Sequence, residues 1–253
     1  MAEDRVLQRR KPLFIVGIVV LCILGAWFAY FLWQIGYSVV LLSHGQDPTK
    51  VAQQKQFQAS IAKSIANTHV TKEDLARLES TDEPTLGNPQ AKIHIVEFVD
   101  YDCPYCRQVA PVIRAFMQKH SQDAYLTLRD FPITELHPDA ERLAVAARCV
   151  FAQKDSRRFW LFYDRLYASQ SANSAQDLRL YAEQQGVNLS AYDACVSSQQ
   201  TLPHVQQSVQ DGLAAGVNAT PTFFFNGLQI PGAIDADSME VIFSEAQKQA
   251  KAL

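Results

Sequence analysis

The sequence lacks an excess of charge of either sign. Its 23 Lys and Arg stand against 26 Asp and Glu, a net charge of −3. Outside the first dozen residues there is no Lys/Arg-rich run, so no nucleic-acid partner is expected. Cysteine is scarce, with five in 253 residues, and none of the six histidines pairs with another at ligand spacing. A zinc site needs four thiolate or imidazole ligands. Cys103 and Cys106 would supply half of one, but Cys149 and Cys195 stand alone, so no metal is expected. Charged residues make up only 19% of the chain and hydrophobic ones 48%, which leaves ample material for a core.

Charge is absent over one further stretch. Residues 1–12 carry Arg5, Arg9, Arg10 and Lys11, and Leu13 to Trp33 then runs without a charged side chain. At about 1.5 Å per residue a helix of that length spans a hydrocarbon core. Trp27, Tyr30, Trp33 and Tyr37 cluster toward its far end, where amphipathic aromatics anchor at an interface. A cleaved signal peptide competes, but Gln34 to Leu42 offers no convincing small-x-small site. The expectation is therefore a basic tail over 1–12 and a membrane anchor over 13–42. Only Lys50 and Lys55 follow closely, so the charge bias places the N-terminus in the cytoplasm and the rest outside it. Mid-span Cys22 reads as a packing residue, with palmitoylation the alternative.

Residues 43–84 are polar and rich in Gln and Lys, with a thin stripe at Phe57, Ile61 and Ile65. They read as a helical stalk; a dimerising coiled coil would want more heptads. Thr71 with Asp74 resembles a cap for a short helix through Leu75 and Leu78. Thr81 to Pro89 is a turn-rich boundary. Ile93 to Tyr101 is a β-branched and aromatic run that reads as a buried strand. A helical pattern follows from Pro104 through Met117, with Pro111 expected to kink it. Ala124 to Asp130 alternates like a second strand. Five helical segments without a convincing strand come next, at Ala140–Ala152, Arg158–Ala168, Ala175–Gln185, Leu189–Ser198 and Val205–Ala215. Gly216 reads as a helix stop. Thr220 to Phe225 and Leu228 to Pro231 form a hairpin about Asn226-Gly227, and a last helix covers about Asp237 to Lys251. The order describes an α/β domain with a helical insertion.

Strand, then Cys103-Pro104-Tyr105-Cys106, then helix is an arrangement with chemistry in it. Pro104 suits the first helical position, where a missing N–H costs nothing. Cys103 then caps a helix whose free N–H groups and dipole favour thiolate over thiol. Two sulfurs three positions apart can close a small disulfide, with Cys103 exposed and Cys106 shielded. Glu97 sits in an otherwise apolar strand. If buried there, its carboxyl would be shifted toward the neutral form and could pass a proton to or from Cys106; the alternative is that it points outward at an edge. Asp100 and Asp102 read as solvated, and Asp102 would oppose a thiolate. His94, His120, His137 and His204 do not converge in sequence.

The chain resembles the DsbA family of thioredoxin-fold oxidoreductases, and within it the membrane-anchored proteins of the BdbD type. The resemblance rests on Ile95-Val96-Glu97-Phe98 to Cys106, on Arg129-Asp130-Phe131-Pro132 with His137-Pro138, and on Gly216 to Phe223. It covers residues 85–253 and implies a thioredoxin fold with a helical insertion at about 138–215. It further implies a cis bond at Thr220-Pro221 facing the cysteines, with Thr220, Pro221, Pro104 and Tyr105 meeting an extended client chain. Glu97 matches the acidic residue beneath the disulfide, and His137 a structural feature at a helix entry. No cofactor is implied. The implied activity is oxidation of dithiols in unfolded or reduced exported proteins at the outer face of a bacterial inner membrane. Recycling would come from a DsbB-type, quinone-linked partner. Rival readings are an isomerase or reductase of the DsbG type, or a membrane-tethered chaperone-like binder.

Cys149 lies in an apolar run, and Cys195 shares a helical face with Leu189, Tyr192 and Val196. Both should point into one helical core. In an oxidising compartment they are the pair left over, so a structural disulfide is expected, with two unpaired buried thiols as the alternative.

Overall fold

The computed structural model describes residues 23–37, 72–79 and 82–252. The chain divides into two units, Met1–Phe57 and Gln58–Leu253. In the first, residues 23–37 form a helix whose aromatic side chains are exposed, Trp27 at 75%. Tyr30, Trp33 and Tyr37 stack along it at 6.0 Å between successive rings. Among the described residues no helix is long and apolar enough to cross a membrane. Of the anchor expected over 13–42, the flanks 13–22 and 38–42 lie outside the described residues, as do the basic tail and most of the stalk.

The second unit is built on a five-stranded sheet in the order β1-β3-β2-β4-β5. Its strands are β1 (Thr85–Gly87), β2 (Ile93–Val99), β3 (Ala124–Asp130), β4 (Thr222–Phe225) and β5 (Leu228–Pro231). β2 and β3 run parallel, joined across helix α2 (Pro104–Lys119), and the other pairings are antiparallel. A strand paired on both sides and covered on both faces needs a near-continuous apolar run, which explains the composition of β2. Its even positions Val96 and Phe98 join Leu78, Phe131, Val217 and Phe224 in one core cluster. Phe98 meets Phe131 and Phe224 edge to face at 6.0 and 5.9 Å. Glu97, one step along, therefore faces the opposite side of the sheet.

β1 falls within the segment read from sequence as turns. Three residues cannot show an alternation, and the strand exists because Thr85 to Gly87 pair with Tyr125 to Thr127. Leu78, at the end of α1 (Lys72–Leu78), and Glu83 also pack into this unit, with exposures of 1% and 8%. The expected hairpin is present: Asn226 and Gly227 have φ of 47° and 89°, the paired positive values of a type I′ turn.

Between β3 and β4 lie α3 (Ala140–Phe151), α4 (Ser156–Ala168), α5 (Ala175–Gln184), α6 (Leu189–Ser197) and α7 (Leu202–Ala214). Local chemistry starts three of them: Asp155 and Asn188 accept from the backbone N–H three residues on, and Ser174 with Asp177 forms a capping box. α7 ends in a Schellman pattern. Gly216 has φ 82°, its N–H bonds Leu213 O, and the Val217 N–H bonds Gly212 O. This stop turns the chain toward Thr220-Pro221. α8 (Ala236–Ala252) closes the unit. α2 runs unbroken through Pro111.

Cys149 of α3 and Cys195 of α6 are joined in a disulfide, with Cα atoms 5.7 Å apart and 46 positions between them in sequence. A second tie is ionic. Arg148 is ion-paired to both Asp130 and Glu83, and Arg129 bonds Asp211 at 2.5 Å, Ser208 Oγ at 3.1 Å and the carbonyls of Arg77 and Leu78. All five charged side chains are buried. Burial pushes the Glu83 carboxyl up to about 7 against the pull of Arg148 and Arg129. The five charges fasten the end of β3 to α3, α7 and the segment before β1.

Candidate active site

β2 delivers its C-terminal end to the mouth of the sheet, and Tyr101 and Asp102 turn the chain into α2. Cys103 is the N-cap residue, with extended backbone (φ −73°, ψ 125°) and Pro104 next. No side chain caps the helix, so its first N–H groups are left for the Cys103 sulfur. The thiol is held far below its ordinary value, at about 5. The Cys106 thiol contributes most, followed by the backbone N–H of Cys106, the Thr220 hydroxyl and the N–H of Tyr105, all against the cost of burial. Cys106, one turn inward, is pushed well up, first by burial and then by the Cys103 sulfur. Both cysteines are free thiols. The helix end thus gives two neighbouring sulfurs opposite acidities, one ready to attack or leave as an anion and one that holds its proton.

The exposure expected for Cys103 is not found: it is 3% exposed. The cis peptide Thr220-Pro221 lies against it, with Thr220 O 3.4 Å from Sγ, close enough to accept the S–H. The Thr220 hydroxyl is buried and has no hydrogen-bond partner. Gln170, from the end of the α4 region, donates to the carbonyls of Tyr101 and Cys103 at 3.0 and 2.9 Å and clamps the turn from the other side. Pro104 and Tyr105 remain at the surface, Tyr105 with 59% of its area accessible.

Glu97 is fully buried, and neither carboxyl oxygen has a hydrogen-bond partner. Burial alone pushes its carboxyl up to about 8, so it is neutral at neutral pH. It lies near enough to Cys106, Tyr101, Tyr163 and Tyr167 for its charge to raise all four. These tyrosines form a ladder, Tyr101 to Tyr167 at 5.6 Å and Tyr167 to Tyr163 at 4.9 Å, which walls the site with one ring from the turn after β2 and two from α4. The hydroxyl of Tyr163 is also buried without a partner.

Asp100 corrects the sequence reading. It is 1% exposed rather than solvated, and its carboxylate accepts from the N–H groups of Asp102 (2.8 Å) and Ile133 (2.9 Å) and from His137 Nδ1 (2.8 Å). His137 therefore converges on the site, whereas His94 and His120 pair with Glu79 and Glu240 away from it. Asp102 is half-buried, and burial together with Asp100 raises its carboxyl. Gln170, Asn173 (whose Nδ2 donates to Gln170 O at 2.6 Å) and the Asp100 pairing were not legible in sequence, because each acts through backbone atoms or across more than thirty residues. The Asp at the end of a buried strand, followed by a turn, was the available signal for Asp100. Among the described residues no cluster of three or more His, Cys, Asp or Glu could hold a metal ion.

Comparison with known proteins bears on this arrangement directly. The thioredoxin family profile matches residues 79–244, which takes in every residue of this site. The chain belongs to the thioredoxin family. Its fold is that of DsbA-like members. The thiol-disulfide exchange protein alpha-DsbA2 of Wolbachia pipientis superposes with a TM-score of 0.62 at 17% identity, covering 77% of this chain and 97% of that one. Oxidised BdbD of Bacillus subtilis superposes at 0.60 with 21% identity, covering 66% and 94%. A curated relative, the Na(+)/H(+) antiporter NhaA 3 of Salinispora tropica, is 29% identical over 165 residues, 65% of this chain. This chain spans about a quarter of the length of the curated relatives it matches, and the antiport in their name is said of those whole proteins. The cis bond at Thr220-Pro221 facing the Cys103 helix start is the one that the resemblance implied.

Proposed function

We propose that this protein is a thiol–disulfide oxidoreductase that works as a dithiol oxidase on exported proteins. The observation that carries the reading is the split between the two sulfurs: Cys103 is held as a thiolate and Cys106 as a thiol, across from Thr220-Pro221. In the oxidised form a client thiolate attacks Cys103 Sγ. The Cys103–Cys106 bond breaks, and Cys106 leaves with the electron pair and takes up a proton, for which Glu97 is the nearby carrier. A second client thiol then attacks the client sulfur of the mixed disulfide, and Cys103 leaves as a thiolate. The client dithiol is oxidised and the enzyme disulfide reduced. A thiolate stabilised in the reduced form makes it a good leaving group and the disulfide a strong oxidant, which favours oxidase over reductase or isomerase. Thr220, Pro221, Pro104 and Tyr105 are the surface an extended client chain would meet.

The charge-free run Leu13 to Trp33, its basic flank and the exposed aromatic side chains of helix 23–37 support a single-pass anchor in the bacterial inner membrane. The catalytic unit would then be periplasmic. Reoxidation requires an electron acceptor, and a quinone-linked membrane oxidase of the DsbB type fits that geometry. The test is to replace Cys106 with Ser: client proteins should accumulate as mixed disulfides on Cys103. If Cys103→Ser traps them instead, the assignment of roles is overturned.

A further inference from the structure

The Asp100–His137 pair stands beside the nucleophile, and the exchange scheme leaves it without a task. Resting on the thiol–disulfide reading of Cys103, we propose that His137, held by Asp100, is a redox-linked proton site that gains a proton when the disulfide is reduced and loses it when the disulfide reforms.

The geometry is specific. Asp100 has no side-chain exposure, and its two oxygens divide their work. Oδ1 accepts from Asp102 N–H in the turn that leads to Cys103, while Oδ2 accepts from Ile133 N–H and faces His137 Nδ1. The Cys103 N–H itself bonds Asp100 O at 3.2 Å, so one residue grips both the nucleophile's backbone and the histidine. A carboxylate facing Nδ1 places a hydrogen there and leaves Nε2 to take or release the second proton. The His137 side chain is 19% exposed, which gives that proton a way to solvent.

Asp100 at the end of β2, and Asp102 and Cys103 in the turn into α2, all favour the imidazolium, while burial opposes it; the balance raises the His137 value above its ordinary 6.5. Asp139 and Arg142, at the start of α3, act on Asp102 in opposite senses. Of these groups only Cys103 changes charge with redox state. Formation of the disulfide removes its anion, and the ring keeps only the two carboxylates.

The stoichiometry leaves a proton for this site to share. A client dithiol gives up two electrons and two protons as it becomes a disulfide. The electrons reduce Cys103–Cys106. One proton goes to Cys106 and the other has no home on Cys103, which stays a thiolate; His137 takes up a share of it, about 0.3 for a half-unit shift, and the rest passes to solvent. The imidazolium in turn steadies the thiolate, so it acts as a positioning residue on the nucleophile.

The experiment is an NMR titration of the histidine rings in the full chain, reduced and oxidised, with His137 identified by the signal lost in His137→Gln. The expected result is a midpoint above 6.5 in the reduced form and lower in the oxidised form by roughly half a pH unit or more. Equal midpoints overturn the proposal. In a parallel arm, iodoacetamide alkylation of Cys103 is followed against pH, and below the Cys103 value of about 5 His137→Gln should react about threefold more slowly. A role confined to holding the loop would leave both titrations unmoved. Turnover of a reduced client, measured alongside, separates the two claims. A redox-dependent shift without turnover removes the functional reading and keeps the proton site. Turnover without a shift removes the proton site alone.

Discussion

Replacing Glu97 by Gln should stabilise this protein, and only on one side of a pH boundary. The Glu97 carboxyl titrates at about 8 in the fold against an ordinary 4.5, and burial is the sole cause. A raised value means that the folded chain binds its proton more tightly than the unfolded chain does. Below 4.5 both states hold the proton and no penalty exists. As pH rises toward 8 the unfolded chain releases it, the folded chain does not, and stability falls. The full loss above 8 is ~5 kcal/mol, and at neutral pH it is ~3 kcal/mol, both upper limits for a site that can relax. Gln has the shape of the neutral acid and no charge to release. Its own amide adds a cost that does not vary with pH. The difference in unfolding free energy between Glu97→Gln and wild type should therefore climb between about pH 5 and 8 and level off on either side. Urea unfolding of the full chain, held in one redox state across that range, measures it. A difference that stays flat would refute the reasoning, because it would mean that Glu97 ionises in the fold as it does in water.

Arg148→Met leaves Asp130 as a buried carboxylate without this cation and Glu83 with Arg129 alone, and should cost ~3–5 kcal/mol in urea unfolding; a loss below ~1 kcal/mol contradicts the buried network. Replacing Cys149 and Cys195 together by Ala opens the bridge across 46 positions and should cost up to ~4 kcal/mol in the chain-entropy picture, with peptide mapping under non-reducing conditions checking the pairing itself. Thr220→Val removes the hydroxyl that favours the Cys103 thiolate, so Cys103 alkylation should shift to higher pH with the fold intact. Unchanged alkylation would deny that hydroxyl a role.

What sequence could show here was set by range. The strands at Ala124–Asp130 and Leu228–Pro231 and the five inserted helices carry their patterns within a dozen residues each, and they lie where periodicity places them. Cys103 at a helix start is equally local: Pro104 and the break in apolar alternation announce it. The burial of Glu97 followed from its neighbours in β2. By contrast, β1 is three residues whose identity as a strand depends on Tyr125 to Thr127 across the sheet. The burial of Cys103 depends on Thr220 and Gln170, which arrive from different elements. Asp100 looked solvated because aspartate after a strand usually is; its three donors come from the turn, from Ile133 and from His137, none of them visible as a spacing. The Arg129–Arg148 cluster was hidden for the same reason, since a charged residue in a strand reads as an outward face until its partners are placed.

The central claim is that Cys103 and Cys106 form an oxidising disulfide, and its most direct test is their redox equilibrium against glutathione. Holding the Cys103 thiol at about 5 rather than its ordinary 9 favours the reduced form by ~2.7 kcal/mol at neutral pH, which is ~60 mV in a two-electron couple. The account predicts a midpoint more oxidising than the glutathione couple, at roughly −200 mV or higher. That lead over glutathione should shrink as pH falls through the Cys103 range and the thiolate is lost. A midpoint near −270 mV, the range of reducing thioredoxins, would contradict it.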